Sequence, residues 1–206
     1  ALPGQLVRAQ VAAVRKSLAE AALVEVLERS PDEQEPPCPH AGRCGGCSWQ
    51  SLAYGRQLAW KERIVHDALE RVGKVACPPM LPILPSPSEW GYRNKMEFAF
   101  GVSGDGGKTL GLRERGSRNI VEVTGCLLQT PLTMRVLEAV RMLSNGAFHD
   151  LDGRFLVVRE PNAGGCFVEL IVGAGGSLEA GERFAEALRA ETPEVTGFAL
   201  SERLAP

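Results

Sequence analysis

The chain has 206 residues, 44% of them apolar and 23% charged, with a formal net charge of -2. Those proportions exclude a disordered or fibrous chain and leave room for one good core with a small satellite domain. So even a balance gives no overall pull toward nucleic acid, so an RNA partner would have to be met by a local basic patch.

No apolar run reaches the roughly 18 residues of a membrane span, and the start, Ala-Leu-Pro-Gly, has neither a secretion leader nor a Met. The expectation is a soluble, cytoplasmic piece of a longer chain, without a membrane partner. Residues 1 to 30 set propensity against pattern. Ala, Leu, Glu and Arg favour helix, whereas Leu6 to Val11 and Leu23 to Leu27 read as two β runs. Ser30-Pro-Asp-Glu-Gln-Glu-Pro-Pro37 is acidic and proline-rich and reads as a linker.

Cys38-Pro-His-Ala-Gly-Arg-Cys44-Gly-Gly-Cys47 follows, with three thiols on a short loop and two glycines that let the backbone turn them toward one centre. The other cysteines are Cys77, Cys126 and Cys166. A disulfide framework calls for a small secreted domain, which this chain does not resemble. Zinc, with His40 or a distant Cys as fourth ligand, is chemically sound. Three clustered thiolates and one remote one also suit an iron-sulfur cluster. Spacing does not rank the candidates for the fourth ligand. His40, His66 and His149 lie far apart and form no catalytic set, and Cys77 and Cys166 read as buried apolar thiols.

Ser51 is placed to cap a helix running to Gly73, with Leu58, Val65, Leu69 and Val72 as its apolar stripe. Its bases, Arg56, Lys61, Arg63 and Arg71, are mixed with Glu62, Asp67 and Glu70 and read first as a solvated face. The prolines from Cys77 to Pro87 demand extended chain. From Tyr92 the period becomes two, with Met96, Phe98 and Phe100 opposite Arg93, Lys95 and Glu97. Leu110 to Leu112 and Ile120 to Val123 continue a meander. Thr130-Pro131 opens a helix to Asn145-Gly146; strands 154–160 and 166–172 flank a hairpin turn; a helix from Ser177 to Ala190 leads to a strand at Val195 to Leu200. The fold class is α+β, mostly antiparallel, with packed helices.

Residues 92 to 119 hold six bases (Arg93, Lys95, Lys108, Arg113, Arg115, Arg118) against three acids (Glu97, Asp105, Glu114) and form the one patch suited to RNA. Glu169 to Gly176 tempts a comparison with the strand-then-glycine loop that holds S-adenosylmethionine. Only 30 residues follow Gly176, too few for a doubly wound sheet, so the glycines read as a strand-to-helix turn.

The loop CPHAGRCGGCSWQ with Tyr54, Gln57 and Lys61, the strand Trp90-Gly-Tyr-Arg-Asn-Lys-Met-Glu-Phe98, Leu110-Gly-Leu-Arg113 and Val123-Thr-Gly-Cys-Leu-Leu-Gln129 occur in this order. Together they resemble the iron-sulfur-containing RNA (uracil-5-)-methyltransferases. The resemblance implies a [4Fe-4S] cluster on Cys38, Cys44, Cys47 and Cys126, and rRNA or tRNA as partner, with no DNA. It implies that Arg93, Lys95, Arg113, Arg115 and Arg118 meet RNA. It also implies three parts: residues 1–30 as the tail of an OB-like β-barrel (TRAM) domain, 31–75 as the cluster region with its helix, and 76–206 as an α+β central domain. In the family, S-adenosylmethionine and the catalytic residues belong to a Rossmann-like domain beyond this chain's last residue, so no catalytic or cofactor-binding residue is assigned here and the chain alone is expected to be inactive. The alternative is a stand-alone zinc or iron-sulfur RNA-binding module.

Overall fold

The computed structural model describes residues 1–203 apart from 17, 105 and 176. Asp105 of the basic stretch and Gly176 of the glycine turn therefore lie outside the described residues. The chain forms two compact units, residues 1–37 with 48–87, and residues 38–47 with 88–206.

In the first unit, strands β1 (Leu6–Arg15) and β2 (Leu18–Glu28) pair antiparallel. The conflict at the N-terminus resolves in favour of strands: the recurring valines suit a pleated ribbon, and the pairing satisfies the backbone of both runs. Arg8 faces Glu25 in the register, and its Nη1 lies 2.6 Å from the carboxylate. Leu6, Val14, Leu18 and Val24 are each more than half exposed.

The acidic stretch after β2 is not a free linker, which corrects the reading from composition. The Gln34 amide donates to the Ser51 carbonyl at 2.8 Å and the Ala53 amide to that of Asp32 at 3.2 Å. Glu33 accepts from Gln5 at 2.7 Å and pairs with Arg29 at 2.8 Å, and these bonds hold its carboxyl below the usual carboxylate range. Polar side chains anchor this segment where apolar ones are lacking.

Helix α1 (Tyr54–Asp67) begins three residues after the expected cap, with Ala53 at the cap position and no side-chain bond there. Ser51 falls in a turn instead. Gln57 secures that turn by donating to the carbonyls of Trp49 and Leu52. A π-helical turn (Ala68–Val72) extends the helix. The anticipated apolar stripe is only partly used: Leu58 and Leu69 are half-buried, but Val65 and Val72 are exposed. Most of the helix bases are engaged locally, Arg56 with Asp32 at 2.8 Å, Arg71 with Asp67 at 3.5 Å and Arg63 over the Trp60 ring. The proline-rich chain is extended, as expected. Its free amides are taken up by the helix, Ile83 N–H by Glu62 at 2.6 Å and Ser86 N–H by the Tyr54 hydroxyl at 2.7 Å.

The second unit is built on a six-stranded sheet of β3 (Lys95–Val102), β4 (Lys108–Arg113), β5 (Ile120–Glu122), β6 (Gly153–Arg159), β7 (Cys166–Val172) and β8 (Val195–Glu202). The spatial order is β5-β4-β3-β6-β7-β8, antiparallel except for the parallel pair β7 and β8. The α+β class and the hairpin between β6 and β7 are as read from the sequence. β7 pairs antiparallel with β6, as the hairpin reading expected, and parallel with β8, because the chain leaves β7, runs through helix α3 (Leu178–Glu191) and returns alongside it. Local patterning cannot distinguish that return from a second hairpin, since the choice depends on the crossover helix packing back onto the sheet.

Helices α2 (Pro131–Asn145) and α3 cover one face of this sheet. Phe98, Leu110, Val136, Leu137, Val140, Leu156, Val168, Leu170, Phe184 and Leu188 are the fully buried centre of that layer. Burying this apolar surface is the main favourable term in the fold, at roughly 25 cal/mol per Å² removed from water.

The start of α2 is secured twice. Thr130 Oγ1 accepts from the Thr133 amide at 3.2 Å, and the Glu160 carboxylate accepts from the same amide at 3.1 Å and from both threonine hydroxyls. A negative charge at a helix N-terminus is favourable. Removing the cap with Thr130→Ala should lower stability by about 1 kcal/mol. Urea unfolding of the purified variant measures this; an unchanged midpoint would mean that Glu160 alone suffices.

Candidate metal centre and nucleic-acid interface

The cysteine loop belongs to the second unit and is joined to the sheet through the end of β4. The Gly45 amide donates to the Arg113 carbonyl at 2.9 Å and the Arg115 amide to the Arg43 carbonyl at 2.8 Å, and Cys44 pairs with Glu114 as an antiparallel bridge. The Arg115 guanidinium donates to the Cys47 carbonyl at 2.7 Å. Gly45 is needed here, because a Cβ on it would stand 3.1 Å from the Arg113 carbonyl oxygen. The loop thus extends the sheet edge, and its position follows from that of β4.

Within the loop, the Cys44 amide donates to the His40 carbonyl at 2.9 Å and the Gly46 amide reaches the Cys44 sulfur at 3.4 Å. His40 is neither a bare surface residue nor part of a catalytic set. Its Nε2 accepts from the Thr124 amide at 3.3 Å, which braces the loop against the segment that carries Cys126.

Cys38, Cys44, Cys47 and Cys126 are all half-buried free thiols. Burial pushes the Cys126 thiol up; the nearby charges of Cys47 and Cys38 act in the same direction and hydrogen bonds from Leu128 and Gln129 oppose them. A bound cation reverses that preference and favours thiolate. Gln129, which follows Cys126 by three residues, is buried with neither amide atom hydrogen-bonded among the described residues, a condition that is costly without a polar neighbour. Among the described residues no three His, Cys, Asp or Glu side chains converge as ligands of one metal ion. A single zinc ion would draw its sulfurs to within about 3.8 Å of one another. Thiolates are the donors that zinc and iron-sulfur clusters both take.

The remaining two cysteines lie elsewhere. Cys166 is fully buried in β7, and burial among apolar side chains pushes its thiol up to about 11. Cys77 is only half-buried in the proline-rich segment, its sulfur 3.5 Å from that of Met80, which corrects the expectation that it is a core thiol.

The predicted RNA residues are spread more widely than their proximity in sequence implied. Lys95, Glu97 and Ala99 lie on the sheet face opposite α2 and α3, in register with Arg159, Val157 and Phe155 of β6. Arg113 shares that face, and Arg118 lies in the turn between β4 and β5. Arg93 does not join them: it is half-buried just before β3, with Nη1 against the Met96 sulfur at 3.9 Å. Arg115 is partly committed to the cysteine loop. Glu114, the acid between these bases, accepts from Asn119 and Ser117, bonds that hold its carboxyl below the usual range.

Two arginines that motif reading passed over, Arg154 and Arg203, line the same groove as Arg113 and Arg118. Only the strand register could have revealed them. The turn after β7 brings Gly173 close against Asp152, where a Cβ would meet the carboxylate at 2.2 Å. It is a strand-to-helix turn, as read.

No family model matches the chain. It is 47% identical over 206 residues to a protein of Nitratidesulfovibrio vulgaris named an uncharacterized RNA methyltransferase, a match that takes in 95% of this chain and 44% of that protein. A protein of Caldanaerobacter subterraneus with the same description is 48% identical over 113 residues, 55% of this chain and 25% of its own length. The 23S rRNA (uracil(1939)-C(5))-methyltransferase RlmD of Xanthomonas oryzae is 42% identical over 132 residues, 64% of this chain and 30% of its own length. The chain spans less than half the length of these relatives. With the cysteine loop, the Cys126 segment and the basic strands occurring in the same order as in the family's motifs, the chain belongs to the RNA methyltransferase family that includes the uracil-C5 enzymes.

Proposed function

We propose that this chain is the RNA-binding, [4Fe-4S]-bearing portion of an S-adenosylmethionine-dependent RNA uracil-C5 methyltransferase acting on rRNA. The observation that carries the reading is the coupling of the cysteine loop to the arginine-bearing strand end at residues 113 to 115, in a chain whose relatives are named RNA methyltransferases. Cys38, Cys44 and Cys47 would hold the cluster from the loop and Cys126 from the segment after β5. The cluster would supply covalent cross-linking between those two segments. His40 and Arg115 keep the loop against its partners, and Lys95, Arg113 and Arg118 offer positive charge to the RNA backbone. The methyl donor and the attacking groups are assigned to no residue of this chain.

Two measurements test this. Anaerobic purification followed by iron, sulfide and zinc analysis and a visible spectrum should give about four irons and four sulfides per chain; stoichiometric zinc without sulfide would overturn the cluster. Binding to rRNA fragments should weaken steeply with added salt, as phosphate contacts require. Salt-independent binding would overturn the role given to the basic face.

A further inference from the structure

The sheet face without helices ends in a groove of about 710 Å³ whose walls carry Arg113, Arg118, Arg154 and Arg203. Ala99, Gly101 and Phe155 form its floor, and among the described residues no Asp or Glu lines it. Arg154 is paired with Asp152 at 2.8 Å. Arg113 and Arg118 form no ion pair among the described residues. The Arg203 guanidinium lies over the ring of Phe155, 5.4 Å from its centroid.

On a chain of net charge -2, four guanidinium groups around one concavity concentrate the positive potential. Such an array matches phosphate oxygens, which accept paired hydrogen bonds from the planar fork of arginine. The Arg203-Phe155 stack adds a flat surface of the kind on which an unpaired base lies. A groove of this volume admits one or two nucleotides and is too small for a duplex.

We propose that this groove is a binding site for single-stranded RNA, with Arg113, Arg118 and Arg154 on two successive phosphates and one base stacked on the platform of Phe155 and Arg203. The inference rests on the RNA reading above and extends its contact surface from Arg113 and Arg118 to Arg154 and Phe155 of β6 and to Arg203. Gly101 belongs to the design of the floor: a Cβ there would press on Ile120 at 2.9 Å and on Thr109 at 3.1 Å, so the floor stays open to a flat ligand.

The test uses the purified chain and a fluorescent single-stranded RNA dodecamer, with anisotropy measured across a salt series. The double variant Arg118→Gln, Arg154→Gln should bind about tenfold more weakly and lose about 1.4 from the slope of log affinity against log salt. Phe155→Leu, which keeps an apolar side chain, should weaken binding by a similar factor, and Phe155→Tyr should restore it. Circular dichroism checks that each variant is folded. If the parent chain binds and all three variants bind equally well, the groove is refuted while the RNA reading stands. If the parent chain does not bind the dodecamer, both fall. Equal competition by a duplex of the same sequence would also refute a single-strand site.

Discussion

On the ligand set proposed above, Cys126→Ser should abolish iron binding and destabilise the second unit more than any surface substitution. A link between Cys47 and Cys126 closes a loop of about eighty residues, and the entropy that such a link removes from the unfolded chain corresponds to about 4.5 kcal/mol. The loop's own hydrogen bonds, Gly45 to Arg113, Arg115 to Arg43 and Thr124 to His40, survive in the variant. The loop should therefore loosen without detaching. Iron content and thermal unfolding under anaerobic conditions measure both effects. A variant that keeps its iron and its melting temperature would remove Cys126 from the ligand set. Cys166→Ser serves as the contrast: it buries a hydroxyl without a designed partner in β7 and should lower stability while leaving iron content unchanged.

Phe184→Ala should lower stability by about 3–5 kcal/mol. The ring is fully buried and meets Phe148 edge-on with centroids 5.0 Å apart and Phe198 at 6.0 Å, contacts that add to the cost of burial alone. Removing it opens a cavity between α3, β8 and the loop after α2, in a layer where the neighbours are themselves fixed by close packing. At about 2–4 °C per kcal/mol for a domain of this size, the melting temperature should fall by roughly 10 °C. Because the effect is confined to the helix layer, iron content per folded chain should not change, and a parallel loss of iron would show that the two layers are coupled.

The elements whose signals were local were legible in the sequence. Thr130-Pro131 announced α2 because the cap and the first-turn proline act within one helical turn. The β6-β7 hairpin was legible for the same reason, its glycines at 164 and 165 adopting the positive φ that the turn requires. Ser51 misled because it lies in the turn before α1, which Gln57 holds by its bonds to the carbonyls of Trp49 and Leu52, so that the helix starts only at Tyr54. The segment 30–37 misled because composition does not reveal that its carboxylates already have partners. Arg154 and Arg203 escaped notice because they are far in sequence from the basic stretch they join.

By itself, then, the sequence determined the chemistry available: three thiols at ligand spacing with the fourth ligand left open, alternating strands that carry basic residues, and capped helices. These are properties of neighbouring residues, governed by bond geometry and periodicity. The tertiary structure alone decided which distant groups meet. It zipped the cysteine loop to the end of β4, tied His40 of that loop to Thr124, returned β8 parallel to β7, and gathered four arginines around one groove with Phe155. Such meetings depend on strand order and register, in which a shift of one residue turns every side chain to the other face, and that order is set by the packing of the whole sheet rather than by any short stretch of it.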